Sequence, residues 1–277
     1  MSEDLRQQLD AALDYPVAIG SLPPFDIVEA GYRCRFARNR SDLEEALRLR
    51  YEVFNLELGE GLESSHESRL DVDRFDAQCH HLIVLCESDQ RVIGTYRLQT
   101  SEMAAAGSGF YSAEEFVLED WPASVLDEAC EVGRAAIHAE HRHRRVLLML
   151  WKGLGAYVLH NQKRYFFGCC SLTSQDPVDA ARMATYLRAK GRIHPTLHLE
   201  PREHCDCREY EESDAGWETI GVPTLFNIYL RYGAWIVGRP AIDREFKTID
   251  FLALLDLEEM DPSRILRQFE VDLSRRP

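Results

Sequence analysis

Charge written into apolar periodicity is the strongest constraint on how this chain can fold. In four short stretches, ionisable residues occupy positions where the surrounding pattern asks for apolar ones: Arg50-x-x-x-Phe54, Asp73-x-x-Asp76, Gly94-Thr-Tyr-Arg97-Leu98 and Glu131-Val-Gly-Arg134. A basic run, Arg142-His143-Arg144-Arg145, follows and leads directly into an apolar segment that opens at Val146. A buried charge has to be paired or has to face a cavity. A fold that satisfies the apolar pattern must therefore also bring these groups to partners.

Arg50 lies seven residues after Leu43 and four before Phe54. The capping pattern Ser41-Asp-Leu-Glu44 starts a helix whose apolar face is Leu43, Ala46, Leu47, Val53 and Phe54. Arg50 falls on that face, so it either snorkels at its edge or meets a buried partner. Asp71, Asp73 and Asp76 precede a buried-looking strand. Alone they read as a solvated loop with a turn cap; the alternative pairs one or two of them with Arg50 and Arg97. A calcium loop is excluded, because its glycine and terminal glutamate are missing. Arg97 sits in the middle of an apolar strand, where arginine faces a cleft or an ion pair, and Gly94 permits close approach. Glu131 and Arg134 have an odd spacing, which in a regular strand sends them to opposite faces. A bulge at Gly133 would bring them to one side. Glu131 would then suit a general base, and a freed backbone N–H would suit a developing oxyanion. The plainer alternative is a Glu–Arg pair that satisfies itself. The basic run stands where helix amides and the helix dipole favour an anion, although a solvated basic turn has the same composition.

Net charge is −15, which excludes broad nucleic-acid binding and makes any basic patch conspicuous. At 277 residues, 45% of them hydrophobic, the chain can bury a large core. The eight cysteines mostly sit in apolar, strand-like runs and read as reduced core residues. His198, His204, Cys205 and Cys207 cluster, but Cys-x-Cys is not a usual zinc spacing, so no metal is assigned. No apolar leader precedes residue 14 and no run is long enough to span a membrane; a cytoplasmic protein is expected, with peripheral contact at the inner membrane left open.

The expected organisation is an extension over 1–30, a single α+β domain over 31–260 and a charged tail over 261–277. Strands are expected at 32–37, 81–87, 91–99, 129–139, 165–172, 235–238 and 248–257. Helices are expected from 41, at 146–161, at 176–190 and from Pro223 to about Tyr232, with an acidic insertion at 198–221. Strands and helices do not alternate strictly, which favours a mostly antiparallel mixed sheet over a doubly wound parallel one.

Together these stretches resemble the acyl-carrier-protein-dependent N-acyltransferases of the GNAT superfamily, nearest the ornithine N-acyltransferase group often labelled hemolysin-like. The similar residues run from Leu49-Arg-Tyr-Glu-Val-Phe54 through Asp71-Val-Asp-Arg-Phe-Asp76, Gly94-Thr-Tyr-Arg-Leu98 and Gly109-Phe-Tyr-Ser112. They continue through Glu131-Val-Gly-Arg134, Gly168-Cys-Cys-Ser171 and Phe246-Lys-Thr-Ile-Asp250. The same order recurs in acyl-homoserine-lactone synthases. The resemblance implies a central sheet splayed between two strands, with an acyl-phosphopantetheine arm between them. It implies no bound cofactor, a 3-hydroxyacyl carrier protein as donor and partner, ornithine as acceptor, and a lyso-ornithine lipid as product. Arg142-His-Arg-Arg-Val146 replaces the glycine-rich pyrophosphate loop of acetyl-CoA enzymes, which fits a carrier-protein donor better. On this reading Glu131 and Arg134 are catalytic. Arg50, Phe54, Asp73, Asp76 and Arg97 serve the acceptor, and Arg142, Arg144, Arg145 and Val146 serve the donor. Lys152, Lys163 and Arg164 add to the basic surface that meets the carrier. A different amine acceptor, a homoserine-lactone-type synthase and a degenerate acyl-binding module are the alternatives.

Overall fold

The computed structural model describes residues 15–207 and 216–259. The expected tail and the middle of the acidic insertion lie outside the described residues. The chain divides into two compact units. Among the described residues the first holds 15–109 and 130–164, and the second holds 110–129 and 165–259.

The first unit is built on five antiparallel strands in sequential order: β1 (Asp26–Glu29), β2 (Tyr32–Phe36), β3 (His80–Cys86), β4 (Val92–Thr100) and β5 (Ala129–Ile137). β1 lies inside the stretch expected to be an extension. A two-residue turn, Ala30-Gly31 with φ of 50 and 85, folds it back onto β2, as left-handed residues do in tight hairpins.

Helix α1 (Arg40–Tyr51) is capped two residues earlier than expected, at Asn39 rather than Ser41, because Asn39 accepts from the Asp42 N–H. The Asp42 carboxylate is taken by Arg35 and by the Arg38 N–H. The helix buries Leu43, Ala46, Leu47, Leu49 and Arg50, then loosens into π-type turns over Glu52–Leu58 that end at Gly59. A short helix, α2 (Ser101–Ala106), follows β4 and is capped by Thr100.

Helix α3 (Arg144–His160) packs on the sheet face that carries Cys34, Phe36, Leu82 and Gly94. Two glycines set how closely it seats. A Cβ on Gly153 would come within 2.6 Å of the Leu82 side chain, and one on Gly94 within 3.4 Å of Val146 and Leu150. The Cys34 thiol donates to the Met149 carbonyl at 3.4 Å, and the Phe36 and Tyr157 rings lie 5.5 Å apart. Alternation along β3 and β4 leaves His81, Arg97 and Gln99 on the opposite face, with α1.

In the second unit the long strand β9 (Thr248–Asp256) pairs along its length with β6 (Tyr165–Leu172). Its other edge takes β7 (Trp235–Ile236) and then β8 (Ala241–Asp243). All these pairings are antiparallel. Helices α4 (Pro177–Ala189) and α5 (Thr224–Arg231) cover one face, over Cys170, Leu172, Ile249, Phe251 and Ala253. The segment after Phe110 covers the other, over Phe167, Leu252 and Leu254. Strands and helices fall within a few residues of the expected positions; β1 and β8 are additional.

Candidate active site

Arg50 is fully buried, and three elements supply its surroundings. Its Nε donates to Asp71 at 2.6 Å, and its two terminal nitrogens donate to Asp76 at 2.6 and 3.3 Å. Arg97, from β4, donates to both oxygens of Asp73 at 2.6 and 2.7 Å and to Asp76 at 2.9 Å. Arg134, from β5, reaches Asp73 at 3.1 Å and lies 3.6 Å from Asp71. Three arginines and three aspartates thus alternate in one buried, charge-balanced network. Backbone groups complete it: the Asp73 N–H donates to Asp76 at 2.8 Å and the Phe75 N–H to Asp73 at 2.9 Å. The aspartates are therefore neither a solvated loop nor a turn cap alone. Burial works to raise the pKa of Asp76, and Arg50 and Arg97 overcome it and hold that carboxyl well below the usual carboxylate range. Asp73 moves the same way against its own burial, chiefly through Arg97.

This arrangement redistributes the expected roles. With no exposed surface, Arg50 is out of reach of a solute and holds the 71–76 loop against α1. Phe54 is buried in the π-type turns, where its carbonyl accepts from the Glu60 N–H at 2.9 Å. Asp71 belongs to the network as fully as Asp73 and Asp76.

The bulge exists, and it lies one residue beyond Gly133. Arg97 faces Gly133 and Thr95 faces Ala136, so two steps on β4 match three on β5. Arg134, not the glycine, adopts the left-handed conformation with φ of 49. The extra residue turns the Arg134 side chain to the face that carries Arg97, Gln99 and Glu131. The expected condition for bringing Glu131 and Arg134 to one side is met with a different residue as pivot.

Glu131 is buried at 7% exposure. Its Oε2 accepts from Gln99 Nε2 at 2.7 Å, and Gln99 in turn accepts from Gln78 at 2.8 Å. Gln78 also donates to the Gly109 carbonyl at 2.9 Å. Neither glutamine stood out in the sequence, although Gln99 follows Arg97 by two residues and so shares its face. His81, opposite Arg97, is another buried member. Its Nε2 donates to the Asp76 carbonyl at 3.2 Å, which leaves the proton on that nitrogen.

The basic run separates into parts. Arg142 is held by the Ile137 carbonyl at 2.8 Å and by both oxygens of Glu57. Val146 is buried over Gly94. Arg144 and Arg145 are exposed on the first turn of α3; Arg145 comes no closer than 3.9 Å to Glu29. His143 caps the helix without a side-chain bond to its amides, because its ring and that of His141 meet the Tyr32 hydroxyl at 3.1 and 3.0 Å. The amides of that turn stay open to an anion. Lys152 pairs with Glu29 at 3.4 Å. Lys163 lies beyond the other end of α3, about 25 Å away at 1.5 Å per residue, buried against Ser101 and Glu102. The basic surface is therefore narrower than expected. Cys205 and Cys207 sit in different core clusters on the two faces of the second sheet, and among the described residues they form no metal cluster with His198 and His204.

Residues 49–152 match the family model of an acetyltransferase (GNAT) domain. The chain is 32% identical over 237 residues to an L-ornithine N(alpha)-acyltransferase of Rhodobacter capsulatus, covering 83% of this chain and 91% of that one. It is 30% identical over 252 residues to the Brucella abortus protein of the same name, covering 87% and 89%. Among solved structures, FeeM, an N-acyl amino acid synthase from uncultured soil microbes, aligns with a TM-score of 0.51. That alignment covers 86% of this chain and 98% of that one; at 12% identity the likeness is one of fold.

The buried histidines set a pH dependence. Burial pushes His80 down to about 4 and His81 down to about 3. Both are neutral in the folded chain near pH 5 and protonated in the unfolded one, so acid favours unfolding. Each is expected to cost about 2 kcal/mol of stability between pH 7 and pH 5, before the paired aspartates titrate. Urea unfolding across that range checks this, and a flat midpoint would contradict it.

Proposed function

Because the chain belongs to the GNAT acyltransferases, in the family of the L-ornithine N(alpha)-acyltransferases, we propose that it moves a 3-hydroxyacyl group from acyl carrier protein to the α-amine of ornithine, giving lyso-ornithine lipid. The observation that carries this reading is the bulge after Gly133. It turns Arg134 onto the face that Glu131 shares with Arg97 and Gln99, where Glu131 is buried and oriented by Gln99.

In the proposed reaction Glu131, directly or through a water, takes one proton from the acceptor's ammonium. The freed amine attacks the thioester carbonyl, and the C–N bond forms as the C–S bond breaks. The second proton lost by nitrogen balances the departing thiolate. Residues 134 and 135, both opposite Tyr96, fall outside the regular ladder, and a backbone N–H there suits the oxyanion. The arginine–aspartate network acts through position: it fixes the 71–76 loop and the β5 bulge, and no covalent enzyme intermediate is needed.

The donor is an acyl-phosphopantetheine on an acidic carrier. A chain of net charge −15 must meet such a carrier with a local basic surface, and Arg144 and Arg145 at the open start of α3 supply one. Among the described residues no helix is long and apolar enough to cross a membrane. The reading is of a cytoplasmic enzyme that touches the inner membrane to release its product.

Incubation with 3-hydroxyacyl carrier protein and a pool of amino acids, read by mass spectrometry, should yield the ornithine adduct; an adduct of another amine would replace the acceptor. In that assay Glu131→Gln should lower kcat by about a hundredfold or more, and near-normal turnover would remove Glu131 from the base role. Arg144→Glu combined with Arg145→Glu should raise KM for acyl carrier protein while thermal unfolding stays unchanged. An unaltered KM would move the docking surface elsewhere.

A further inference from the structure

Asp250 breaks the apolar run of β9 much as Arg50 breaks the face of α1, but no opposite charge comes to it. Pairing sets Phe167, Cys169 and Ser171 of β6 opposite Leu254, Leu252 and Asp250 of β9, and alternation keeps all six on one face. That face is apolar at Phe167, Leu252 and Leu254 and turns polar toward Ser171 and Asp250. The segment after Phe110 lies over it and adds Ser112 and Glu115. All these residues belong to the second unit. The Cys169 thiol lies 3.6 Å from the Ser112 hydroxyl and 3.8 Å from Glu115. One polar atom each of Glu115, Cys169 and Asp250 falls within 4.8 Å of the other two.

The two carboxyls are each only 3% exposed. Thr248 donates to one oxygen of Asp250 at 3.2 Å, while the other, Oδ1, is buried without a hydrogen-bond partner. Among the described residues no basic side chain pairs with Asp250. Glu115 is fixed through its backbone: its carbonyl accepts from the Arg202 N–H at 2.7 Å, and its N–H donates to the Ser112 carbonyl at 3.2 Å. The Arg202 guanidinium holds the same segment through the Ala113 carbonyl and Glu119. Two neighbouring buried carboxylates repel one another and are costly unless a proton or a cation is shared between them.

We propose that Glu115, Cys169 and Asp250 are ligands of one zinc ion, which pins the segment after Phe110 to the sheet of the second unit. A tetrahedral zinc with bonds of about 2.3 Å to sulfur and about 2.0 Å to oxygen sets those two atoms about 3.5 Å apart. The 3.8 Å between Cys169 and Glu115 needs only a small adjustment. The thiol selects zinc over magnesium or calcium, which take oxygen ligands. A proton shared by the carboxyls would neutralise one charge and give the thiol no part. On binding, the thiol proton leaves to solvent, and Asp250 Oδ1 gains the partner it lacks. The Ser112 hydroxyl, directly or through a water, stands at the fourth position. Cys169 and Ser171 are half-buried and leave a path for the ion.

The zinc site does not depend on which amine is acylated, and its test reads the metal rather than turnover. Full-length wild type, Cys169→Ser and Asp250→Asn are purified without a metal resin, and their zinc is measured by elemental mass spectrometry. Wild type should hold about one zinc per chain, and each variant less than about a tenth of that. Cobalt(II) in place of zinc should give a thiolate-to-cobalt charge-transfer band in the near ultraviolet, absent from Cys169→Ser. Chelation should lower the Tm of wild type by roughly 5 °C or more and leave that of Asp250→Asn unchanged. Chelated wild type supplies a reading that needs no variant: it should take up one zinc in competition with a chromogenic chelator. A wild type that neither holds nor takes up zinc overturns the site and leaves the carboxyls sharing a proton. Zinc retained by both variants, or cobalt bound without the charge-transfer band, puts the metal elsewhere and overturns it equally.

Discussion

The first unit depends on a charge-balanced knot inside its core. Arg50 comes from α1, the three aspartates from the loop ahead of β3, Arg97 from β4 and Arg134 from the bulge in β5. Burying such groups is expensive, and their mutual attraction repays the cost only when every partner is in place. The network therefore works less as added stability than as a condition on geometry. A helix, a loop and two strands must hold one register for six charges to cancel.

That requirement also accounts for the conformation of Arg134. A left-handed backbone is costly for a residue with a side chain, and a glycine one position earlier seemed the natural site for the bulge. Only an arginine at the pivot can carry a guanidinium round to Asp73 and Asp71. The local strain and the ion pairing are one feature, set beside the carboxylate assigned to the chemistry.

Much of this was legible in the sequence, wherever periodicity carried the signal. Arg50 on an apolar helix face and Arg97 on an apolar strand could only be paired or face a cleft, and they proved to be paired, with the aspartates as partners. What pattern could not supply was contact across the fold. Gln99 and Gln78 carry no charge and did not stand out, although one orients Glu131 and the other braces it. Lys163 follows the basic run closely in sequence, but a seventeen-residue helix separates them in space. Cys205-x-Cys207 was not a usual zinc spacing, and the irregular backbone from the turn at Glu203–Cys205 onward sets the two thiols in different cores. β1 escaped because Ala-Gly is a weaker hairpin signal than Asn-Gly and the strand follows a Pro-Pro break.

The contrast between Arg50, sealed from solvent, and Arg144, exposed at a helix start, has a consequence for ionic strength. Mobile ions screen exposed charges beyond a Debye length of about 8 Å at physiological salt and scarcely reach buried ones. Added salt acts on the outer arginines while the inner ones keep their partners. A single simple variable in the buffer thus divides the protein's electrostatics into a part open to adjustment from outside and a part fixed at folding.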